Sequence, residues 1–311
     1  MKLLITGSNG FFGSNFIKKY NKKFKKIIGI SKSKCKIKFK NYKHYELDIN
    51  NYKRLKNIFI KEKPDIVILT ASNSIVSTSE KKPEITLQTN VFAQVRIFDI
   101  IRSLDMKIVI FSIESILLYG DQRNIKIKLK ETIQPKPTNT YQYSKYLLSK
   151  FSELYRNQFN LKIYSLRPAS LYGPNDLKFS RMMPKNIINM LSNKNPIVYS
   201  GFSSLSREFL YIYDFCDVVF NIIKFKKKIP PDIYNIGSGN VYTLKEVLDK
   251  IINKINPKLK IQKIKVEGEI TKINNLVLDS SKIKKYIKIS NTDFDESINE
   301  TIKFYKKLNT K

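Results

Sequence analysis

Apolar positions along the chain follow two alternating rhythms. Short runs that are apolar throughout or at every second position read as strands: Lys2–Thr6, Lys26–Ile30, His44–Leu47, Ile66–Leu69, Lys107–Phe111 and Lys162–Leu166. Between them, apolar residues recur every three or four positions near Phe11–Lys19, Tyr52–Lys61, Glu84–Ser103 and Thr140–Asn157, which is helical spacing. Strand and helix in turn predict an α/β fold with a doubly wound parallel sheet, because parallel neighbours need a helical crossover between them. Beyond about residue 168 the pattern loosens into shorter strands, turns at Tyr172-Gly173-Pro174 and Gly237-Ser238-Gly239, and a last helix at Phe294–Lys306. The expected organisation is a sheet domain over 1–168 and a smaller lobe over 169–311, partly interleaved with the sheet. Lys224–Lys228 reads as a solvated helix end.

The first strand runs into TGSNGFFGSN, which places Gly7, Gly10 and Gly13 on a strand-to-helix turn although the whole chain has only 10 glycines. Without a Cβ such a turn bends tightly, lets backbone approach a ligand and packs helix on strand. The free N–H groups and positive dipole end of the helix favour a phosphate. A glycine triplet also serves tight turns that bind nothing. Its position directly after a first buried strand points to the pyrophosphate of a dinucleotide.

Composition removes several alternatives. No run of about 18 apolar residues is present to span a bilayer, and the chain enters a strand at once without a secretory leader, so the cytoplasm is the default compartment. Cys35 and Cys216 are too few for a disulfide framework and form no metal spacing. His44 is the single histidine, which argues against a His-rich zinc site and against serine-triad chemistry, so no metal is expected. The formal charge of +32 raises the question of nucleic acid. Only eight of the 58 basic residues are Arg, however, and the lysines are spread over almost every segment with no RNA-binding motif. A general lysine and isoleucine bias accounts for the charge better than nucleic-acid binding does. Catalysis is left to Tyr, Lys, Ser, Asp or Glu.

Two further segments carry chemistry. In TYQYSK, Tyr141 and Lys145 stand four apart at the start of a predicted helix and share a face. A free tyrosine titrates near pH 10, and a nearby ammonium favours its phenolate, so the pair can move a proton at a hydroxyl. With 18 Tyr and abundant Lys the spacing also arises by chance. In FSIESILLYG, after the fifth strand, Ser112 and Ser115 both stand where open parallel sheets bind ligands; either also serves as a simple turn cap.

In this order the three segments resemble the extended short-chain dehydrogenase/reductase family, the NAD(P)-dependent epimerase/dehydratase group that acts on nucleotide sugars. The resemblance runs over nearly the whole chain. Thr6-Gly7-Ser8-Asn9-Gly10-Phe11-Phe12-Gly13 is similar to the TGxxGFxG cofactor motif, and Tyr141 with Lys145 to the YxxxK pair. Leu166-Arg167-Pro168-Ala169-Ser170-Leu171-Tyr172-Gly173-Pro174 resembles LRxxxxYGP. Arg207-Glu208-Phe209-Leu210-Tyr211-Ile212-Tyr213-Asp214 resembles RDFxxVxD, and Tyr234-Asn235-Ile236-Gly237-Ser238-Gly239 resembles YNxGxG.

The resemblance implies a Rossmann domain for NAD(P) over 1–168 and a nucleotide-sugar-binding lobe over 169–311. It implies cofactor contacts from Gly7, Gly10, Phe11, Phe12 and Gly13, from Asp48 with Ile49 at the adenine, from Ala71, from Asn90 near the nicotinamide ribose, and from Tyr141 and Lys145. Ser115, at the family's distance before Tyr119-Gly120, becomes the catalytic hydroxyl with Tyr141 and Lys145, and Ser112 ends the strand. Arg207 matches the arginine that holds the substrate diphosphate, in agreement with the planar fork that grips phosphate. The family also implies a homodimer through the helices following Asn90 and Tyr141.

Departures shape the expected activity. The frequent HLAA is Leu69-Thr70-Ala71-Ser72, and the substrate-contacting Asn of LRxxN is Ser170. Dehydratases of the family carry Asp-Glu directly after the catalytic hydroxyl; here these are Ile116 and Leu117, which exchange no protons. The expectation is therefore a C4 epimerase or 4-ketoreductase rather than a 4,6-dehydratase, with a silent NAD(P)-binding sensor or scaffold as the alternative. At the end of the second strand Ser31-Lys32 leaves no carboxylate to exclude a 2′-phosphate, so NADP(H) is favoured over NAD(H), Ser31 and Lys32 being the discriminating contacts.

Overall fold

The computed structural model describes residues 1–35, 37–122, 127–199, 205–264 and 276–309. The first half alternates β1 (Lys2–Thr6), α1 (Phe11–Tyr20), β2 (Lys26–Ser31), β3 (Tyr42–Glu46), α2 (Tyr52–Glu62), β4 (Ile66–Leu69), α3 (Val76–Lys81), α4 (Pro83–Leu87), α5 (Ala93–Ser103), β5 (Val109–Ile113), α6 (Thr140–Phe159) and β6 (Lys162–Pro168). There follow β7 (Ser170–Tyr172), α7 (Met182–Leu191), β8 (Ile197–Tyr199), β9 (Ser206–Tyr211), α8 (Ile212–Phe225), β10 (Ile233–Ile236), β11 (Val241–Thr243), α9 (Leu244–Ile255), β12 (Gln262–Ile264), α10 (Ser281–Lys284) and α11 (Phe294–Asn309).

Seven strands form one parallel sheet in the order β10-β6-β5-β4-β1-β2-β3. Strand alternation divides its side chains between two apolar layers. Leu3, Ile5, Ile27 and Phe111 enter one, and Leu4, Ile28, Val67 and Ile110 the other, so both faces are covered and the strands are apolar nearly throughout. The doubly wound sheet is thus as its apolar rhythm implied. The seventh strand, β10, comes from the C-terminal half and pairs with β6, Ile236 lying opposite Pro168. The remaining strands make small sheets, β11-β9-β7 and β12-β8.

Three differences from the sequence reading have a clear physical reason. The third strand begins at Tyr42 and ends at Glu46, because this half-exposed edge strand lacks a clear apolar alternation. The fifth runs two residues further than expected, to Ile113, carrying buried Ser112 within it and delivering Ser115 just beyond the sheet. The long helix expected over Glu84–Ser103 starts at Pro83 and contains a π-turn at Gln88–Phe92 between α4 and α5. Such bulges form where a side chain is redirected out of helical register, and here the residue at its centre is Asn90. His44 lies inside β3, its ring between the Tyr42 hydroxyl and the Ser33 carbonyl, each at 3.0 Å. Among the described residues no helix is long and apolar enough to cross a membrane.

Candidate active site

At the carboxyl end of β1 the chain turns at Gly7 with φ +67°. A Cβ there would stand 2.8 Å from the Ala71 amide nitrogen, and one at Gly13 would stand 2.6 Å from the Gly7 carbonyl oxygen. Both close approaches require glycine. Gly10 is the N-cap of α1 and no side chain caps that end, so amide donors of the first turn are free for an anion. Asn9 ties this loop to the segment after β2, its amide donating to Ser33 Oγ and the Lys34 carbonyl, both at 2.8 Å.

Two cavities flank the turn. One, of about 190 Å³, brings together Gly7, Ser31, Lys32, Ile49 and Ala71. The other, of about 320 Å³, brings together Gly10, Phe11, Phe12, Ser115, Tyr141, Lys145 and Ser170, residues gathered from α1, β7, α6 and the segment after β5. Gly13 lies beneath the loop on α1 and serves its packing.

The catalytic helix is set in place by its cap. Asn139 accepts from the Gln142 amide at 3.0 Å, and Gln142 Oε1 accepts from the Thr138 amide at 2.7 Å. This fixes Tyr141 in the first turn of α6, and Lys145 one turn later donates to the Ile113 carbonyl at 2.9 Å. Ser115 caps the short helical turn Ile116–Tyr119 and accepts from the Leu117 amide at 3.2 Å. Burial pushes the Tyr141 hydroxyl above its ordinary range, while the Ser115 hydroxyl and the Arg181 charge pull it back down. Burial brings Lys145 itself down to about 8, with the Glu114 carboxylate opposing the shift.

Other predicted residues have other company. Asp48 forms an ion pair with Lys32 at 2.8 Å. Burial raises its carboxyl, but Lys32 and Asn50 outweigh that and hold it below the ordinary range. Lys32 therefore reaches this site with its charge partly neutralised, while Ser31 at the end of β2 carries no carboxylate. Asn90 is fully buried and its amide is committed to the Asn73 backbone and to Ser144 Oγ, so it braces the loop after β4 against α6. Arg207 is on β9 opposite Tyr242 and donates to the Ser206 carbonyl at 3.0 Å, outside the lining of the cavity that holds Tyr141.

Besides Lys145, the basic groups lining that cavity are Lys178 and Arg181. Arg181 pairs with buried Asp176 at 2.9 Å and donates to Ser74 Oγ at 2.7 Å. It also lines an adjoining cavity of about 120 Å³ with Tyr172 and Tyr305. The sequence reading passed over both residues; a lone Arg before an apolar helix was the available signal. It also passed over Glu114, whose carboxylate pairs with Arg167 at 3.1 Å while lining the same cavity.

A glycine turn under an uncapped helix, at the carboxyl ends of parallel strands and facing a Ser–Tyr–Lys set, defines a dinucleotide-dependent enzyme architecture. Residues 3–237 match the model of the NAD dependent epimerase/dehydratase family, and the chain belongs to that family. It is 31% identical over 272 residues to a dTDP-D-glucose 4,6-dehydratase of Dictyostelium discoideum, an alignment covering 81% of this chain and 62% of that longer protein. The fold superposes on a UDP-glucose 4-epimerase of Thermotoga maritima (TM-score 0.88, 21% identity, 99% of this chain and 100% of that one). It does so equally on a dTDP-glucose 4,6-dehydratase of Bacillus anthracis (TM-score 0.85, 21% identity, 99% and 97%). At that identity the two structures establish the fold alone.

Proposed function

We propose that the protein transfers hydride between a nicotinamide cofactor and a ring carbon of a nucleotide sugar, at C4, as an epimerase or a 4-ketoreductase. The observation that carries this reading is the convergence of Ser115, Tyr141 and Lys145 on one cavity that Arg181 and Lys178 also line. The cradle at Gly7, Gly10 and Gly13 suits a pyrophosphate, and the cavity around Ile49, Ala71 and Ser31 suits an adenosine. Bound there, the nicotinamide supplies acceptance and return of hydride. The chain does the rest. Tyr141 moves the proton at the reacting oxygen, Ser115 holds that oxygen by a hydrogen bond, and Lys145 provides positive charge beside the phenol. Arg181 and Arg207 are the groups suited to the diphosphate. The lobe over 169–311 takes the nucleotide sugar.

Relatives include 4,6-dehydratases as well as 4-epimerases. The choice between these activities rests on Ile116 and Leu117, which line the cavity directly after Ser115 and offer neither the acid nor the base that elimination of water needs. The reading includes NADP(H) over NAD(H), with Ser31 carrying most of the preference because Lys32 shares its charge with Asp48. Exposed Tyr143, Leu147 and Leu154 along one face of α6, with Phe92 exposed beside them in sequence order before α5, support a homodimer, checked by light scattering. The deciding experiment is incubation with UDP-, GDP-, dTDP- and CDP-sugars, with products followed by NMR and mass spectrometry. Epimerised or reduced sugar is the expected product. Loss of water at C4 and C6, or tight cofactor binding with no conversion, would overturn the reading.

A further inference from the structure

Among the described residues Glu114 is the one carboxylate that lines the cavity around Tyr141 and Lys145, and it is 3% exposed. Its pairing with Arg167 is incomplete. Arg167 gives Glu114 Oε2 only its Nε, at 3.1 Å, because its two other nitrogens are spent on the Tyr119 hydroxyl and on Ser149 Oγ, each at 2.9 Å. A bidentate fork would have satisfied both carboxylate oxygens. Instead Oε1 is buried and has no hydrogen-bond partner among the described residues. A balancing charge for Arg167 alone gives no reason to bury an oxygen in this way, since an unpartnered buried acceptor is costly.

The charged and titratable groups that line the cavity with Lys145 are Glu114 just after β5, Tyr141 from the same helix, and Lys178 and Arg181 from the segment leading into α7, with Arg167 of β6 paired to Glu114. Apart from Glu114 all are cationic or neutral, and Lys145 spends its one described hydrogen bond on a neutral carbonyl. We infer that Glu114 is a positioning residue: clamped by Arg167, it supplies the counter-charge that holds the Lys145 ammonium in the cavity. The unpartnered Oε1 leaves part of that negative charge uncompensated, and burial strengthens its field. Of the groups acting on Lys145, Glu114 is the one that draws it back toward the charged form.

The proposal rests on the functional reading for what the ammonium does, but the charge state is measurable without any substrate. Trace labelling with acetic anhydride across pH, read at Lys145 by peptide mass spectrometry, gives its midpoint. In Glu114→Gln that midpoint should fall by about one pH unit or more, the range expected for loss of one nearby opposite charge. Glu114→Asp should restore most of it. The alkaline limb of turnover should move to lower pH by the same interval. Should Glu114→Gln fail to fold with Arg167 unpaired, comparing Glu114→Gln/Arg167→Met with Arg167→Met isolates the carboxylate, and the double variant should have the lower midpoint. An unchanged Lys145 midpoint in these variants overturns the inference, even if they are less stable. A lowered midpoint in a protein that converts no sugar nucleotide would leave the inference standing and remove the functional reading instead.

Discussion

Lys145 Nζ donates a 2.9 Å hydrogen bond to the carbonyl oxygen of Ile113, the last residue of β5. The bond joins the helix that carries Tyr141 to the strand that delivers Ser115, so one contact aligns the three residues of the proposed chemistry. It also holds an ammonium in a buried place, and that has a pH signature. The folded value of Lys145, about 8, lies below its ordinary 10.5. Between those values the unfolded chain binds the proton more fully than the folded one, so stability rises with pH across that window. Below pH 8 the cost of the buried charge is fully present. Relative to wild type, Lys145→Met should therefore fare better at pH 7 than at pH 10, by roughly 3 kcal/mol at most. Urea midpoints at the two values test it; a constant difference would refute the assignment.

Tyr141→Phe removes only the hydroxyl that moves the proton. Turnover of the sugar nucleotide should fall by about 10²- to 10⁴-fold, the usual share of general acid–base catalysis. Cofactor affinity, measured by fluorescence titration, should stay within a few-fold. Near-normal turnover would sink the proposed mechanism.

Ser31 stands at the end of β2, in the cavity with Ile49 and Ala71. Titration of the purified protein with both dinucleotides should show tighter binding of NADP than of NAD. Ser31→Asp should reverse that order, since its carboxylate repels a 2′-phosphate and accepts from a ribose hydroxyl. Tighter NAD binding by the wild type would refute the preference.

In the proposed function Arg181 and Arg207 divide the task of holding a diphosphate. Each charge-assisted contact is worth about 1.5–3 kcal/mol, so either Arg→Ala change should raise KM for the sugar nucleotide by roughly tenfold or more, with kcat changed far less. Steady-state kinetics on the two variants separates them. An unaltered KM in Arg207→Ala would assign Arg207 to the β9–β11 pairing alone.

Much of this architecture is written in local pattern. Leu3, Leu4 and Ile5 are buried on both faces of the sheet, and a run without polar relief reads as a parallel strand from sequence alone. Gly7 and Gly13 announce themselves because backbone contacts at 2.8 and 2.6 Å leave no room for a Cβ, a constraint that acts within a few residues of chain. The spacing of Tyr141 and Lys145 is equally local, being one turn of one helix.

Other features depend on residues far apart in the chain. The π-turn at Asn90 follows from its bonds to Asn73 and Ser144, partners 17 and 54 positions away, which no helical periodicity records. Nothing in the pattern around Glu114 marks it, because the group that holds it at the cavity is Arg167, 53 positions on. The charge of Lys32 is likewise set by Asp48, which the fold brings beside it. The sequence by itself determined the strands, the glycine turn and the Tyr–Lys pair, because each is enforced by sterics and periodicity over less than a dozen residues. The tertiary structure alone decided which charges meet, since a charge takes its effect from whatever the fold brings within a few ångströms of it.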